Sequence, residues 1–154
     1  MALIQLLRPA HWVKNLFLFI PLFLSGQLFN FSKYPDLLMG FAAVCLIASS
    51  VYIINDYRDI EADKLHPEKC KRPLAAGTVT KTQAFILLGC FLVTGLGIAW
   101  YINKSFFGVL SFYFLMNVAY SMGLKNVSIL DIFMVALGFS LRLKMGGIIA
   151  KLPI

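Results

Sequence analysis

Long apolar blocks alternate with short polar clusters along this chain. Five blocks approach the roughly 20 residues that a helix needs to cross a hydrocarbon core. They lie at about 15–31, 37–54, 83–101 and 106–120, with a fifth from about 129 to the end. Connections one, three and four are short, so neighbouring helices should pack antiparallel. Only the second connection is long. The pattern predicts an all-α, polytopic membrane bundle of about five transmembrane helices. It reads as a single membrane domain over 1–154, with an Asp-rich loop at 55–82. No internal repeat or low-complexity segment interrupts it.

Composition supports the same reading. With 60% hydrophobic and 14% charged residues, the chain is too apolar for an ordinary soluble domain. The net charge of +7 fits a membrane surface carrying anionic lipid or phosphate better than it fits nucleic acid. Arg8, Lys14, Arg58, Lys64, Lys69, Lys71, Arg72, Lys81 and Lys125 all fall on one side if the spans alternate, against Lys33 and Lys104 on the other. The positive-inside rule then places the charged loop in the cytoplasm. Cys45, Cys70 and Cys90 have no ligand spacing, and Cys45 and Cys90 sit in apolar stretches as packing residues. The first apolar block runs into Ser25-Gly26-Gln27 without a clear cleavage site, so no removable signal peptide is expected. Residues 6–15 suit a short interfacial segment with Trp12 at headgroup level. An anchoring role and a substrate role for Lys14 and Asn15 fit that segment equally well.

The long connection carries the candidate chemistry. Asp56, Asp59, Glu61 and Asp63 fall within eight residues, followed by Lys64, His66, Lys69, Lys71 and Arg72. At 100° per residue, Asp56, Asp59 and Asp63 share an arc of about 60° if the second helix continues past Asn55. Three like charges on one stripe repel, and a divalent cation removes the conflict. Mg²⁺ suits the arrangement because it keeps several waters and is completed by substrate phosphate oxygens. Asn55, Asp56, Asp59 and Asp63 are therefore the candidate metal-binding residues, with Asp59 and Asp63 as the catalytic carboxylates. A solvated, salt-bridged loop would explain the mixture of charges, but not the one-sided spacing of the acids. Downstream, His66-Pro67 should end the helix. Lys69, Lys71 and Arg72 can hold phosphate, Arg72 by a bidentate fork. Pro73 and Gly77 bracket a turn, and Thr80 to Gln83 reads as a capping box opening the third span. Arg142 and Lys144 lie well inside the fifth span, where ionisable groups face a cavity or a partner.

These residues resemble the UbiA superfamily of membrane transferases. The match is Asn55-Asp56-x-x-Asp59-x-x-x-Asp63, His66-Pro67-x-Lys69 and Arg72-Pro73-Leu74-Ala75-Ala76-Gly77, continuing through Tyr120-Ser121 and Leu124-Lys125. The resemblance implies a nine-helix bundle around a central cavity, with Mg²⁺ and two Asp-rich motifs holding a diphosphate. A narrower resemblance, to the decaprenyl-phosphate phosphoribosyltransferase branch, rests on Leu7-Arg8-Pro9-x-His11-Trp12-Val13-Lys14-Asn15-Leu16, on Pro21-Leu22-Phe23-x-Ser25-Gly26, and on Tyr120 through Asp131 to Leu141-Arg142. It implies transfer of 5-phosphoribose from phosphoribosyl pyrophosphate (PRPP) to a polyprenyl phosphate. Lys14, Asn15, Lys69, Arg72, Tyr120, Lys125 and Arg142 would bind substrate, in a bacterial cytoplasmic membrane. The alternative within the superfamily moves a prenyl group from a prenyl diphosphate to an aromatic acceptor.

Five spans make about half of such a bundle, and no second Asp-rich motif follows Asp131. The expectation is the N-terminal part of a longer transferase, or a truncated, non-catalytic membrane subunit, silent on its own. An oligomer is possible, and half a bundle is expected to leave Arg142 without partners.

Overall fold

The computed structural model describes residues 2–123 and 128–152, and every regular element among them is helical. The order is α1 (Ala2–Leu7), a 3-10 helix (Pro9–Phe19), α2 (Ile20–Leu24), a 3-10 turn (Phe31–Lys33) leading into α3 (Tyr34–Arg58), and α4 (Ile60–Lys64). A 3-10 turn (Lys69–Lys71), α5 (Lys81–Ile102), α6 (Lys104–Ser121) and α7 (Ser128–Ile149) follow.

Among the described residues, three helices are long and apolar enough to cross a membrane: Phe31–Arg58, Lys81–Ile102 and Leu130–Ile149, with mean hydropathies of 2.4, 2.1 and 1.7. They correspond to the second, third and fifth expected spans. The fourth is the 18-residue α6. Lys104, Asn117 and three serines make it more polar.

The first apolar block departs from expectation because it is not one α-helix. It runs as 11 residues of 3-10 helix into the five-residue α2, and turns away at Gly26, whose φ is +69°. Pro9 and Pro21 each lack a backbone N–H at the start of their segment, which interrupts an α-type ladder. At the rises of the two helix types, the composite still extends about 30 Å, close to a hydrocarbon core.

The extended 3-10 path packs against α7. A Cβ on Gly146 would lie 2.0 Å from the Leu18 carbonyl oxygen, so only glycine admits this backbone approach. Around that contact, Leu18, Leu22, Ile47, Phe106, Leu110, Met145 and Ile149 form the main core. A second core of Leu6, Ile53, Ile60, Leu74, Val79 and Ala84 lies beneath the charged loop and fixes both its ends.

Local chemistry ends the elements where it should. Thr80 Oγ1 accepts from Gln83 N (3.2 Å) while Gln83 Oε1 accepts from Thr80 N (3.0 Å), the expected capping box. Asn103 caps α6 through Ser105 N and Phe106 N. Lys33 donates to the Ala150 carbonyl at 2.7 Å, a cation at the negative end of α7.

Candidate functional site

Asp59 interrupts the helix locally, with φ −94° and ψ 7°, between α3 and α4. The i to i−4 hydrogen bonds nevertheless carry through: Asp59 N donates to Asn55 O (3.0 Å) and Asp63 N to Asp59 O (2.7 Å). The acids therefore keep the register expected of a continuing helix. Asp56 and Asp63 are buried, and Arg72 bridges them, with Nη1 at 3.3 Å from Asp56 Oδ1 and 2.8 Å from Asp63 Oδ2. Arg8 adds a second guanidinium, 2.5 Å from Asp56 Oδ1 and stacked over the Tyr52 ring. It does so from the left-handed region, at φ +49°.

Two arginines thus offset two buried carboxylates, and the loop is tied to the end of α3. Asp59 is half-buried. Among the described residues, no three His, Cys, Asp or Glu side chains converge as a cage that could hold a metal unaided. Mg²⁺ does not need one, since one or two carboxylates plus waters and substrate phosphates suffice. Asn55 and Asp59, one helical turn apart, supply oxygen donors of the right kind for that shared mode.

The loop returns as the sequence predicts. α4 stops at Lys64, and His66 Nδ1 accepts from the backbone N–H groups of Glu68 (3.2 Å) and Lys69 (3.4 Å), so this imidazole is a turn cap. Gly77, at φ +72°, makes the turn after Pro73, whose carbonyl accepts from Val79 N at 3.2 Å. Lys69 is exposed. Arg8, His11, Lys71 and Arg72 share an open groove of about 400 Å³ with Asp56 and Glu68. Partial burial, then the positive charges of Arg8 and Lys14, hold the His11 pKa below its ordinary value.

On the other side of α3, Asn55 opens into a cavity of about 210 Å³. Lys14, Tyr52, Tyr113, Asn117, Tyr120 and Arg142 contribute polar groups to its wall, Val51, Met134, Val135 and Phe139 contribute apolar ones, and among the described residues no carboxylate lines it. Arg142, only 8% exposed, donates through Nε to Asn15 Oδ1 (2.9 Å) and through Nη2 to the Tyr113 hydroxyl (2.7 Å). The expectation of an Arg142 without partners is therefore corrected: its neighbours come from within this chain. Tyr120 donates to Asp131. Trp12, expected at headgroup level, is half-buried and its indole donates to Ser49 of α3 at 3.2 Å.

The expected site residues thus fall into two groups. Asp56, Asp63 and Arg72 meet in the loop. Lys14, Asn55, Tyr120 and Arg142 meet at the cavity, with Asn15 behind Arg142. Asp59, at the break between α3 and α4, and Lys69 line neither space, and Lys125 lies outside the described residues. Sequence reasoning missed Tyr52, Tyr113 and Asn117. The signal was available: Tyr113, Asn117 and Tyr120 recur at i, i+4 and i+7 along an otherwise apolar helix.

The model of the UbiA prenyltransferase family matches residues 16–152. The decaprenyl-phosphate phosphoribosyltransferase of Mycolicibacterium smegmatis is 40% identical over 157 residues, covering 99% of this chain and 49% of the relative. That of Mycobacterium tuberculosis is 36% identical over 156 residues, covering 98% and 51%. The chain spans about half the length of the curated relatives it matches. Among solved structures, a UbiA homolog from Archaeoglobus fulgidus bound to DMAPP and Mg²⁺ superposes with a TM-score of 0.81 at 19% identity, covering 100% of this chain and 56% of that one. The chain belongs to the UbiA prenyltransferase family.

Proposed function

We propose that this chain is part of a Mg²⁺-dependent membrane transferase with a diphosphate leaving group, and that it moves 5-phosphoribose from PRPP to a polyprenyl phosphate. The observation that carries this reading is the set of polar groups in the cavity beside the Asp-rich helix end: two cations, three tyrosine hydroxyls and two amides line it beside the apolar Ala48, Val51, Met134, Val135 and Phe139, and among the described residues no carboxylate does. Such a wall suits a phosphorylated, hydroxyl-rich donor. A prenyl chain would match only the apolar part of this wall and would leave its polar atoms without partners. The phosphoribosyltransferase names of the relatives above support the same donor.

In this reading the diphosphate lies at the mouth of the cavity, at the end of α3. Asn55 and Asp59 would hold the cation, while Arg72 keeps Asp56 and Asp63 in register. Mg²⁺, when bound, supplies positive charge that stabilises the departing pyrophosphate. Lys14 and Tyr120 orient the sugar. A phosphate oxygen of the lipid acceptor attacks the anomeric carbon; its new C–O bond forms as the bond to pyrophosphate breaks, and inorganic pyrophosphate leaves. Lys69 and Lys125 remain candidates for steering phosphate toward the mouth. The loop faces the cytoplasm of a bacterial membrane, where a soluble donor is available.

The prenyl alternative has one observation in its favour. A digeranylgeranylglyceryl phosphate synthase of Sulfolobus acidocaldarius is 31% identical over 114 residues, covering 74% of this chain and 41% of the relative. Binding separates the two readings. Detergent-purified protein titrated with PRPP and with geranyl diphosphate, each with and without Mg²⁺, should bind PRPP in a Mg²⁺-dependent way and geranyl diphosphate weakly. Preference for geranyl diphosphate would transfer the assignment to prenyl transfer.

A further inference from the structure

We propose that Arg142 is a preset anchor for a second phosphate of the ligand, separate from the diphosphate, and that Asn15 and Tyr113 are its positioning residues. The inference rests on the cavity being the donor site, and adds which end of the donor reaches its floor.

The guanidinium is fixed on several sides. Asn15 Oδ1 and the Tyr113 hydroxyl take two of its nitrogens. The rings of Tyr113 and Phe139 lie 5.1 and 5.6 Å from its central carbon. Asn15 is itself 1% exposed, and its Nδ2 donates to Cys45 Sγ at 3.2 Å, which aims its oxygen at Arg142. The remaining nitrogen, Nη1, points past Gly138, where a Cβ would stand 3.3 Å away. Both Gly138 and Arg142 line the cavity, so this edge is kept open by the lack of a side chain.

Every partner described for this guanidinium is neutral. A buried cation held only by an amide, a hydroxyl and rings keeps much of its desolvation cost. A phosphate offsets that cost and matches the planar donors of arginine.

Distance along the helices separates this anion from the one at the mouth. Asn55 and Ala48 both line the cavity, as do Tyr120 and Tyr113, and seven residues of α-helix span about 10 Å. The ligand therefore carries anionic groups at both ends, as a sugar phosphate with a diphosphate does. A prenyl diphosphate carries one.

The test titrates ribose 5-phosphate, without Mg²⁺, into the full chain in detergent, with ribose as control. Ribose 5-phosphate should bind and ribose should not. Tyr113→Phe keeps the ring and should weaken binding about tenfold, the equivalent of one lost hydrogen bond to a charged group. Asn15→Asp is nearly isosteric and gives Arg142 a carboxylate. It should abolish ribose 5-phosphate binding while leaving the thermal unfolding midpoint as high or higher, an outcome a purely structural Asn15 would not produce. Gly138→Ala should weaken binding by crowding Nη1.

Equal behaviour of ribose and ribose 5-phosphate, or affinities within about twofold of wild type in both Tyr113→Phe and Asn15→Asp, overturns the proposal. A parallel PRPP titration with Mg²⁺ keeps the two readings apart. PRPP binding that is indifferent to Asn15→Asp removes the anchor and spares the donor assignment. Ribose 5-phosphate binding as expected, with no displacement by PRPP, removes the donor assignment and spares the anchor.

Discussion

Arg72 turns an electrostatically unfavourable stripe of acids into a stable one. Its Nη1 reaches both Asp56 and Asp63, two buried carboxylates that would otherwise repel each other. Arg72→Ala should lower stability by about 3 kcal/mol, the usual cost of stripping one partner from a buried ion pair. Arg72→Lys keeps the charge but carries it on a shorter side chain without the planar guanidinium, so it should recover only part of it. Thermal unfolding in detergent reads both, and an unchanged midpoint in Arg72→Ala would count against this role. Asp59→Asn should do the reverse, costing less stability than Arg72→Ala but abolishing Mg²⁺-dependent PRPP binding. Retained Mg²⁺ dependence would remove Asp59 from the metal. The motif's spacing was legible in the sequence, and so was the pairing of its acids with downstream bases. The division of labour was not: Asp56 is also held by Arg8, 48 residues earlier, and nothing local announces a contact of that span.

Among the elements, the capped ones were legible and the composite one was not. The Thr80–Gln83 box marks the start of α5 by side-chain chemistry within four residues, and Thr80→Ala should cost about 1 kcal/mol. The run from Pro9 to Leu24 reads as helix by apolarity, but its 3-10 path is set by a neighbour 128 residues on, the Gly146 that meets Leu18. Gly146→Ala therefore makes a sharp test of that packing. Its Cβ would collide with backbone, which cannot rotate away, and overpacking of this kind costs about 1–3 kcal/mol. Because Asn15 lies on the same 3-10 segment, the substitution should also loosen Arg142 and weaken ribose 5-phosphate binding. A Gly146→Ala variant with wild-type stability would mean that the segment shifts freely along α7.

At the scale of the whole molecule, the cations sort by end of the bundle. Arg8 meets Asp56 at the C-terminal end of α3, beside Arg72 and the charged loop. Lys33 lies at the other end of α3 and binds the C-terminal end of α7, and Lys104 starts α6 on that same side. The end-to-end charge asymmetry expected from alternating spans is therefore present in three dimensions, even though the first apolar block is not a regular helix. The positive-inside rule then predicts a bundle with the loop on the cytoplasmic side. Cys70 reports on this directly, being half-buried in the loop, while Cys45 is fully buried. Cys90 is exposed on the apolar α5 and is best removed as Cys90→Ser. In that background, a membrane-impermeant maleimide should label Cys70 in inside-out vesicles and not in intact cells. Ser32→Cys, with Cys70→Ser, places the thiol on the exposed turn at the opposite end and should show the mirror pattern. Labelling of Cys70 in intact cells, with Ser32→Cys protected there, would invert the bundle and put the acidic motif out of reach of a cytoplasmic donor.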